Sequence, residues 1–172
     1  MLGKIRAVIL DVDGVLTDGT FWWGPKNEEL KRFSFADTTG IALAQKAGLV
    51  LALASAESSP AGVAIVERFA RKLKIKDVYA ACGEKSVVVR EVARRHGLDL
   101  SEVCFVGDDV NDMPAMGIVG VSAAPANAHP SVLAKARLRL RHRGGRGAVR
   151  ELLDAWMESR SRSGSKRRGK EP

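Results

Sequence analysis

At 172 residues and 45% hydrophobic side chains, the chain has the material for one domain with a full core, and no apolar run approaches the ~18 residues of a membrane span. Its net charge of +8 is uneven: Ser159 to Pro172 carry +5 through Arg160, Arg162, Lys166, Arg167, Arg168 and Lys170 against Glu171, which leaves +3 for everything before. The body is therefore close to neutral, which argues against nucleic acid as its partner, and the basicity belongs to a Ser/Gly-rich stretch, 159–172, expected to be a disordered tail.

Lys4 and Arg6 lead straight into an apolar strand, so nothing at the amino end reads as a signal peptide. Strands are predicted over Ile5–Leu10, Leu49–Ala54, Asp77–Ala80, Val103–Gly107, Ile118–Val121 and Ala136–Leu140. Helices are predicted over Thr38–Ala47, Pro60–Leu73, Lys85–His96, Asp112–Met116, Pro130–Ala134 and Ala148–Met157. Gly48 and Gly97 stand where helix ends favour a left-handed residue. This alternation predicts an α/β fold, a Rossmann-like doubly wound parallel sheet over residues 1–158 with no separate cap domain.

One segment, about 16–35, breaks the rhythm. Thr20-Phe21-Trp22-Trp23, the loop Gly24–Asn27 and Glu28–Phe33 read as a β-hairpin flap. Adjacent Trp22 and Trp23 face opposite sides of such a ribbon, so at least one is exposed on a single chain, and the flap is expected to pack on a neighbouring subunit. Cys82 and Cys104 have neither metal-ligand spacing nor a disulfide framework and read as small buried hydrophobes in a reduced cytoplasm.

The chemistry begins at Asp11-Val12-Asp13-Gly14, directly after the first strand. Alternate residues of an extended segment point the same way, and ligands of open α/β sheets collect beyond the carboxyl ends of strands. Two carboxylates held there repel unless a proton or cation lies between them, most simply Mg²⁺. Ser55 ends the second strand, Lys85 opens a helix, and Gly107-Asp108-Asp109-Val110-Asn111-Asp112 follows the fourth strand. Each alone has an ordinary explanation as a cap, a surface Lys or an acidic turn. Together they supply the parts of phosphoryl transfer through an aspartyl-phosphate. Asp11 is the expected nucleophile and Asp13 the acid and then base. Ser55, the adjoining Ala56 and Lys85 hold the phosphate, Asp108 joins Asp11 on the metal, and Asp109 and Asp112 support that site. His129 and His142 read as structural or exposed.

In this order the motifs resemble the haloacid dehalogenase superfamily across residues 5–121. That resemblance implies that the backbone carbonyl of Asp13 also binds Mg²⁺. Asp11–Gly19, Glu29–Phe33, Asp37-Thr-Thr-Gly-Ile41, Ala128-His129-Pro130 and Gly144–Arg150 look more specifically like the capless branch typified by 3-deoxy-D-manno-octulosonate (KDO) 8-phosphate phosphatases. Members are typically homotetramers in which one subunit's flap and C-terminal segment close the next subunit's site. The implied substrate is a phosphorylated 2-keto-3-deoxy sugar acid.

Two departures bear on that substrate. Where the branch usually carries Thr-Gly-Arg, this chain has Ser55-Ala56-Glu57, and Asp-Gly after the flap is here Asp37-Thr38, with Asp37 and Glu57 both expected at the substrate. Glu57 repels a carboxylate that Arg would clamp. It is similar to phosphatases of nonulosonate 9-phosphates, in which such a Glu is accompanied by a Lys on the next helix, a place Lys72 could fill. Arg146 in Gly144–Gly147 is then the first choice to meet the substrate carboxylate, from its own or a neighbouring subunit. Two other readings compete. A two-component receiver domain shares the residue types, but there the acidic pair comes first and the phosphorylated Asp later. A catalytically idle oligomer would be expected to have lost part of the Asp-x-Asp pair, and both carboxylates stand here.

Overall fold

A computed structural model of the chain describes residues 1–26 and 28–168. Six parallel strands form one sheet in the order β5-β4-β1-β6-β7-β8: β1 Ala7–Asp11, β4 Val50–Ala54, β5 Asp77–Tyr79, β6 Val103–Val106, β7 Val121–Ala124 and β8 Leu138–Arg139. Between them run α1 Phe35–Lys46, α2 Pro60–Leu73, α3 Lys85–His96, α4 Met113–Ile118 and α5 Pro130–Lys135, and α6 Ala148–Arg168 closes the chain. The central strands are apolar throughout because both faces are covered. Val8, Leu10, Leu51, Leu53 and Val106 face the side that holds Ile41, Val66, Phe69, Leu152 and Trp156. Ala7, Ile9, Ala52, Ala54 and Phe105 face Val88, Val89, Val92, Met116 and Val132. The doubly wound sheet expected from the alternation is the one observed.

Among the main-sheet strands and the helices, three elements differ from the sequence reading by three residues or more. The strand placed at Ile118–Val121 lies at Val121–Ala124, because α4 continues through Ile118 and the apolar run Ile118-Val119 cannot by itself separate helix end from strand start. Helix α1 begins at Phe35 rather than Thr38, capped by Ser34, whose Oγ accepts from Asp37 N at 3.4 Å. Helix α6 does not stop at Met157 but runs to Arg168, so 159–168, read from composition as a disordered tail, is helical here. Residues 169–172 of that tail, and Asn27 of the hairpin loop, lie outside the described residues. Trp156 anchors α6 to the sheet: it is fully buried and its Nε1 donates to Ile5 O at 2.9 Å.

The flap is a hairpin of two short strands, β2 Trp22–Trp23 and β3 Glu29–Leu30, antiparallel and separate from the main sheet. Trp22 and Trp23 are 53% and 74% exposed, so both tryptophans, not just one, stand in solvent on the single chain, with Phe21 and Leu30 beside them. Among the described residues, no helix is long and apolar enough to cross a membrane.

Candidate active site

The carboxyl ends of three neighbouring strands bring the sequence motifs together. Asp11 is the last residue of β1 and registers with Ala54 of β4, so Ser55 comes just beyond it on one side. On the other side β6 ends at Val106, and Gly107-Asp108 follows. Lys85 is the first residue of α3, its side chain only 3% exposed, and its Nζ lies 2.7 Å from Asp11 Oδ1 and 2.6 Å from Asp112 Oδ1. Asp112 is fully buried and completes its bonding with Oδ2, which accepts from Asp108 N at 2.9 Å and Asp109 N at 3.3 Å. That bond pattern fixes the acidic loop and aims Asp108 inward.

Carboxylate oxygens of Asp11, Asp108 and Asp112 lie within 4.8 Å of one another. Burial, then the charge of Asp112, hold the Asp11 carboxyl well above its usual range, against the pull of Lys85. Burial and Asp112 likewise push Asp108 up to about 6. Burial works against the charge on Lys85, but Asp11 and Asp112 outweigh it and raise the ammonium to about 12. One buried cation thus faces three carboxylates, an excess of negative charge on hard oxygen donors that fits a divalent ion such as Mg²⁺. These groups open into a cleft of about 350 Å³ lined also by Asp13, Ala56, Glu57, Asp109 and the flap residues Phe21 and Lys31.

The family description "haloacid dehalogenase-like hydrolase" matches residues 62–151. The 3-deoxy-D-manno-octulosonate 8-phosphate phosphatase of Yersinia pestis is 37% identical over 151 residues, 88% of this chain and 79% of that protein. The chain belongs to the haloacid dehalogenase-like hydrolases. Its fold is also similar to the crystal structure of the Yersinia pestis enzyme, with a TM-score of 0.88 at 35% identity over 93% of this chain and 84% of that one. The Moraxella catarrhalis 3-deoxy-D-manno-octulosonate 8-phosphate phosphatase, solved with magnesium, phosphate and KDO, gives a TM-score of 0.88 at 25% identity, covering 99% and 95% of the two chains.

In this hydrolase the loop after Asp13 is fixed by close backbone packing. Gly14 has φ +91°, its N donates to Thr17 Oγ1 at 3.2 Å and its carbonyl accepts from Asn127 Nδ2 at 3.0 Å. Asn127 Oδ1 in turn accepts from Gly144 N at 2.6 Å, and a Cβ on Gly144 would come within 1.8 Å of Gly14 O. Asn127 and the pair Gly144-Gly145 therefore clamp the Asp13-Gly14 loop from behind. Asn127 carried no motif signal, because its role depends on two loops meeting far apart in sequence.

The remaining predicted residues divide. Ser55 is buried at the strand end, and its Oγ accepts from Glu57 N at 3.2 Å. Asp109 reaches the cleft rim but spends Oδ1 on Val110 N at 2.7 Å, capping the 3-10 turn Val110–Asp112. Glu57 lines the cleft, and bonding to Ser59 N holds its carboxyl below the usual range. Asp37, expected at the substrate, is instead buried at the start of α6, where it accepts from Gly147 N at 3.2 Å and Arg150 N at 2.8 Å. It lies away from the cleft because α1 packs against α6, which brings its first turn to the backbone N–H groups at the start of that helix. Lys72 does not accompany Glu57: it sits over the Phe35 ring, 5.1 Å from its centroid, beside a separate groove lined by Phe33 and Phe69. Arg146 is outside the cleft of its own chain and approaches Asp18 Oδ2 at 3.8 Å, an oxygen already held by Arg32 at 2.9 Å. His142 pairs with Glu151 at 2.7 Å and His129 caps α5, and neither lines the cleft.

The residue that sequence reasoning missed is Lys31. Its side chain is 3% exposed, and its ammonium lies 2.9 Å from Asp13 Oδ1, 3.2 Å from Glu29 Oε1 and 3.8 Å from Glu57 Oε2. Its position inside Glu29-Leu-Lys-Arg-Phe33 was on the page, but only the folding back of the flap over the strand ends brings it to the cleft.

Proposed function

We propose that this hydrolase is an Mg²⁺-dependent phosphomonoesterase of a phosphorylated 2-keto-3-deoxy sugar acid, KDO 8-phosphate in the first place, working through an aspartyl-phosphate on Asp11. The observation that carries the reading is Lys85, buried between Asp11 and Asp112 and beside Asp108 at the floor of an open cleft. The names of the relatives add the substrate class.

Each residue then has a task. Asp11 attacks phosphorus while Lys85 and the Ser55 hydroxyl, with the backbone at Ala56, hold the phosphate oxygens. Asp13 gives a proton to the leaving alkoxide and takes one from the water that hydrolyses the intermediate. Mg²⁺, held by Asp11, Asp108 and the Asp13 carbonyl, would offset charge on the transferring group. Asp112 holds Lys85 and the Asp108 loop in place, and Asp109 supports the same loop.

Selectivity rests on the rim. Glu57 suits hydroxyl groups of the sugar. With Arg146 turned to Asp18 in its own chain, the substrate carboxylate is met from a neighbouring subunit, in keeping with the exposed Phe21, Trp22 and Trp23 and with a homotetramer. A nonulosonate 9-phosphate remains the second reading because Glu57 lines the cleft, although Lys72, its expected partner, does not.

Phosphate release from KDO 8-phosphate, a nonulosonate 9-phosphate and hexose phosphates, with Mg²⁺ and after chelation, tests the assignment. Preference for KDO 8-phosphate and loss of activity on chelation support it. Preference for a hexose phosphate overturns the sugar-acid reading.

A further inference from the structure

Lys31 stands out because the ribbon beside it presents Phe21, Trp22, Trp23 and Leu30 to solvent. A ribbon of two residue pairs is marginal in water, and its aromatic side chains point to solvent, yet the ammonium just after β3 is among the least exposed of the flap. Taking an ammonium out of water costs several kcal/mol unless it is paired. Here three carboxylates from three segments offset that cost: Asp13 of the catalytic loop, Glu29 of the flap and Glu57 of the loop after β4. The contact to Asp13 is the shortest of the three. A lysine that only fastened the flap could do so through Glu29 and Glu57 and would have no need of Asp13.

We propose that Lys31 is a positioning residue for the reaction: by gripping Oδ1 of Asp13 it turns that side chain away from the Asp11–Asp108–Asp112 cluster and leaves Oδ2 as the oxygen that exchanges protons. In the first half-reaction the proton on Oδ2 passes to the ester oxygen as its bond to phosphorus breaks and the bond from Asp11 forms. In the second, Oδ2 takes a proton from the water whose oxygen bonds to phosphorus while the Asp11–phosphorus bond breaks. The proton count is thereby restored and inorganic phosphate leaves. This rests on the reading of Asp13 as acid and base, and it makes docking of the flap a condition for turnover as well as for closure.

The test uses the full-length protein as wild type, Lys31→Met, Lys31→Arg, Asp13→Asn and the double variant Lys31→Met/Asp13→Asn. Substrates are a sugar-acid phosphate and p-nitrophenyl phosphate, whose leaving group needs no proton. Lys31→Met is expected to lower kcat on the sugar-acid phosphate by about 100-fold, on the scale of lost acid–base catalysis. KM should stay within about threefold, as for an interaction made only in the transition state. On p-nitrophenyl phosphate it should still give a rapid burst of nitrophenolate, one per site, followed by slow turnover. Lys31→Arg should recover at least about tenfold, since it restores the charge, and the double variant should be no slower than Asp13→Asn alone, because residues acting as one unit are non-additive.

Additive losses in the double variant, or a raised KM with kcat unchanged, overturn the proposal, and the additivity comparison holds even where Lys31→Met loosens the fold. A wild-type protein that releases no phosphate from either ester would instead sink the assigned function. An active Asp13→Asn would sink the role of Asp13.

Discussion

A methyl group built on Gly14 would stand 1.9 Å from Oδ2 of Asp108, far inside any tolerable contact. The backbone there is at φ +91°, a conformation side chains rarely adopt. The first acidic motif and the second meet only because position 14 has no side chain. Gly14→Ala should therefore displace Asp108 and cut kcat by at least about 100-fold, the scale of a 1 Å misplacement in a site. The folded state should also lose roughly 1–2 kcal/mol to the strained φ. Kinetics and thermal melts measure both, and a fully active Gly14→Ala protein would refute the close approach.

Asp37 leads to the opposite expectation. It is buried against two backbone N–H groups at the start of α6 and is remote from the cleft. Asp37→Ala leaves those donors unpaired and should lower stability by about 2–3 kcal/mol. KM for the sugar-acid phosphate should change less than about twofold once the protein is folded, because uniform binding is untouched. Burial holds this carboxyl above its usual range, so by itself the group favours the folded state more as pH falls toward the carboxylate range. A large rise in KM without loss of stability would return Asp37 to the substrate.

Metal binding should depend on pH with a definite sign. Asp108 is raised to about 6, and Asp11 is raised too, in the metal-free chain. Between the ordinary carboxylate range and about 6 the folded metal-free protein holds protons that the unfolded chain has released. These two groups therefore make it more stable as pH falls from 7 toward 5. Mg²⁺ must displace the same protons. Its apparent Kd should rise as pH falls through about 6, by about tenfold per pH unit for each proton displaced. Calorimetric titrations at pH 5 and 7.5 decide it: equal affinities would mean that these carboxylates do not hold the ion.

Both flap tryptophans are exposed on the isolated chain. If they meet a neighbouring subunit, Trp22→Ser/Trp23→Ser should elute as a smaller species in gel filtration with its far-UV spectrum unchanged. Interface aromatics of this kind cost about 2 kcal/mol or more each on truncation. An unchanged elution volume counts against the assembly.

The parts of this protein that were legible in sequence are those whose geometry is local. Asp11 is legible because it ends an apolar strand, and Gly107–Asp112 because an acidic loop after an apolar run lies at a strand end, whereas Asp13 stands past β1 in the turn that follows, where strand alternation no longer sets its direction. Asp37 and Lys72 stand away from the cleft, and Arg146 outside the cleft of its own chain, because each position depends on how one helix or loop packs on another, which spacing does not encode. Asn127 left no local signal, and Lys31 lies in the Glu29–Phe33 segment with nothing there to mark its contact with Asp13. Both act by touching the catalytic loop from elements 18 and 113 positions away from Asp13 and Gly14 respectively. The shift of the strand at Val121–Ala124 has a similar origin, since a buried run of small residues carries no alternation to mark its start.

The central claim is that Asp11 carries the phosphoryl group, and trapping that group is the direct test. Enzyme mixed with substrate and Mg²⁺, quenched in acid within the first turnover and reduced with borohydride, converts an aspartyl-phosphate to homoserine at the modified position. Peptide mass spectrometry should find that change at position 11 and at no other carboxylate, and Asp11→Asn protein should show none. Steady turnover with residue 11 unmodified, or with the mark on Asp13 or Asp108, would contradict the account.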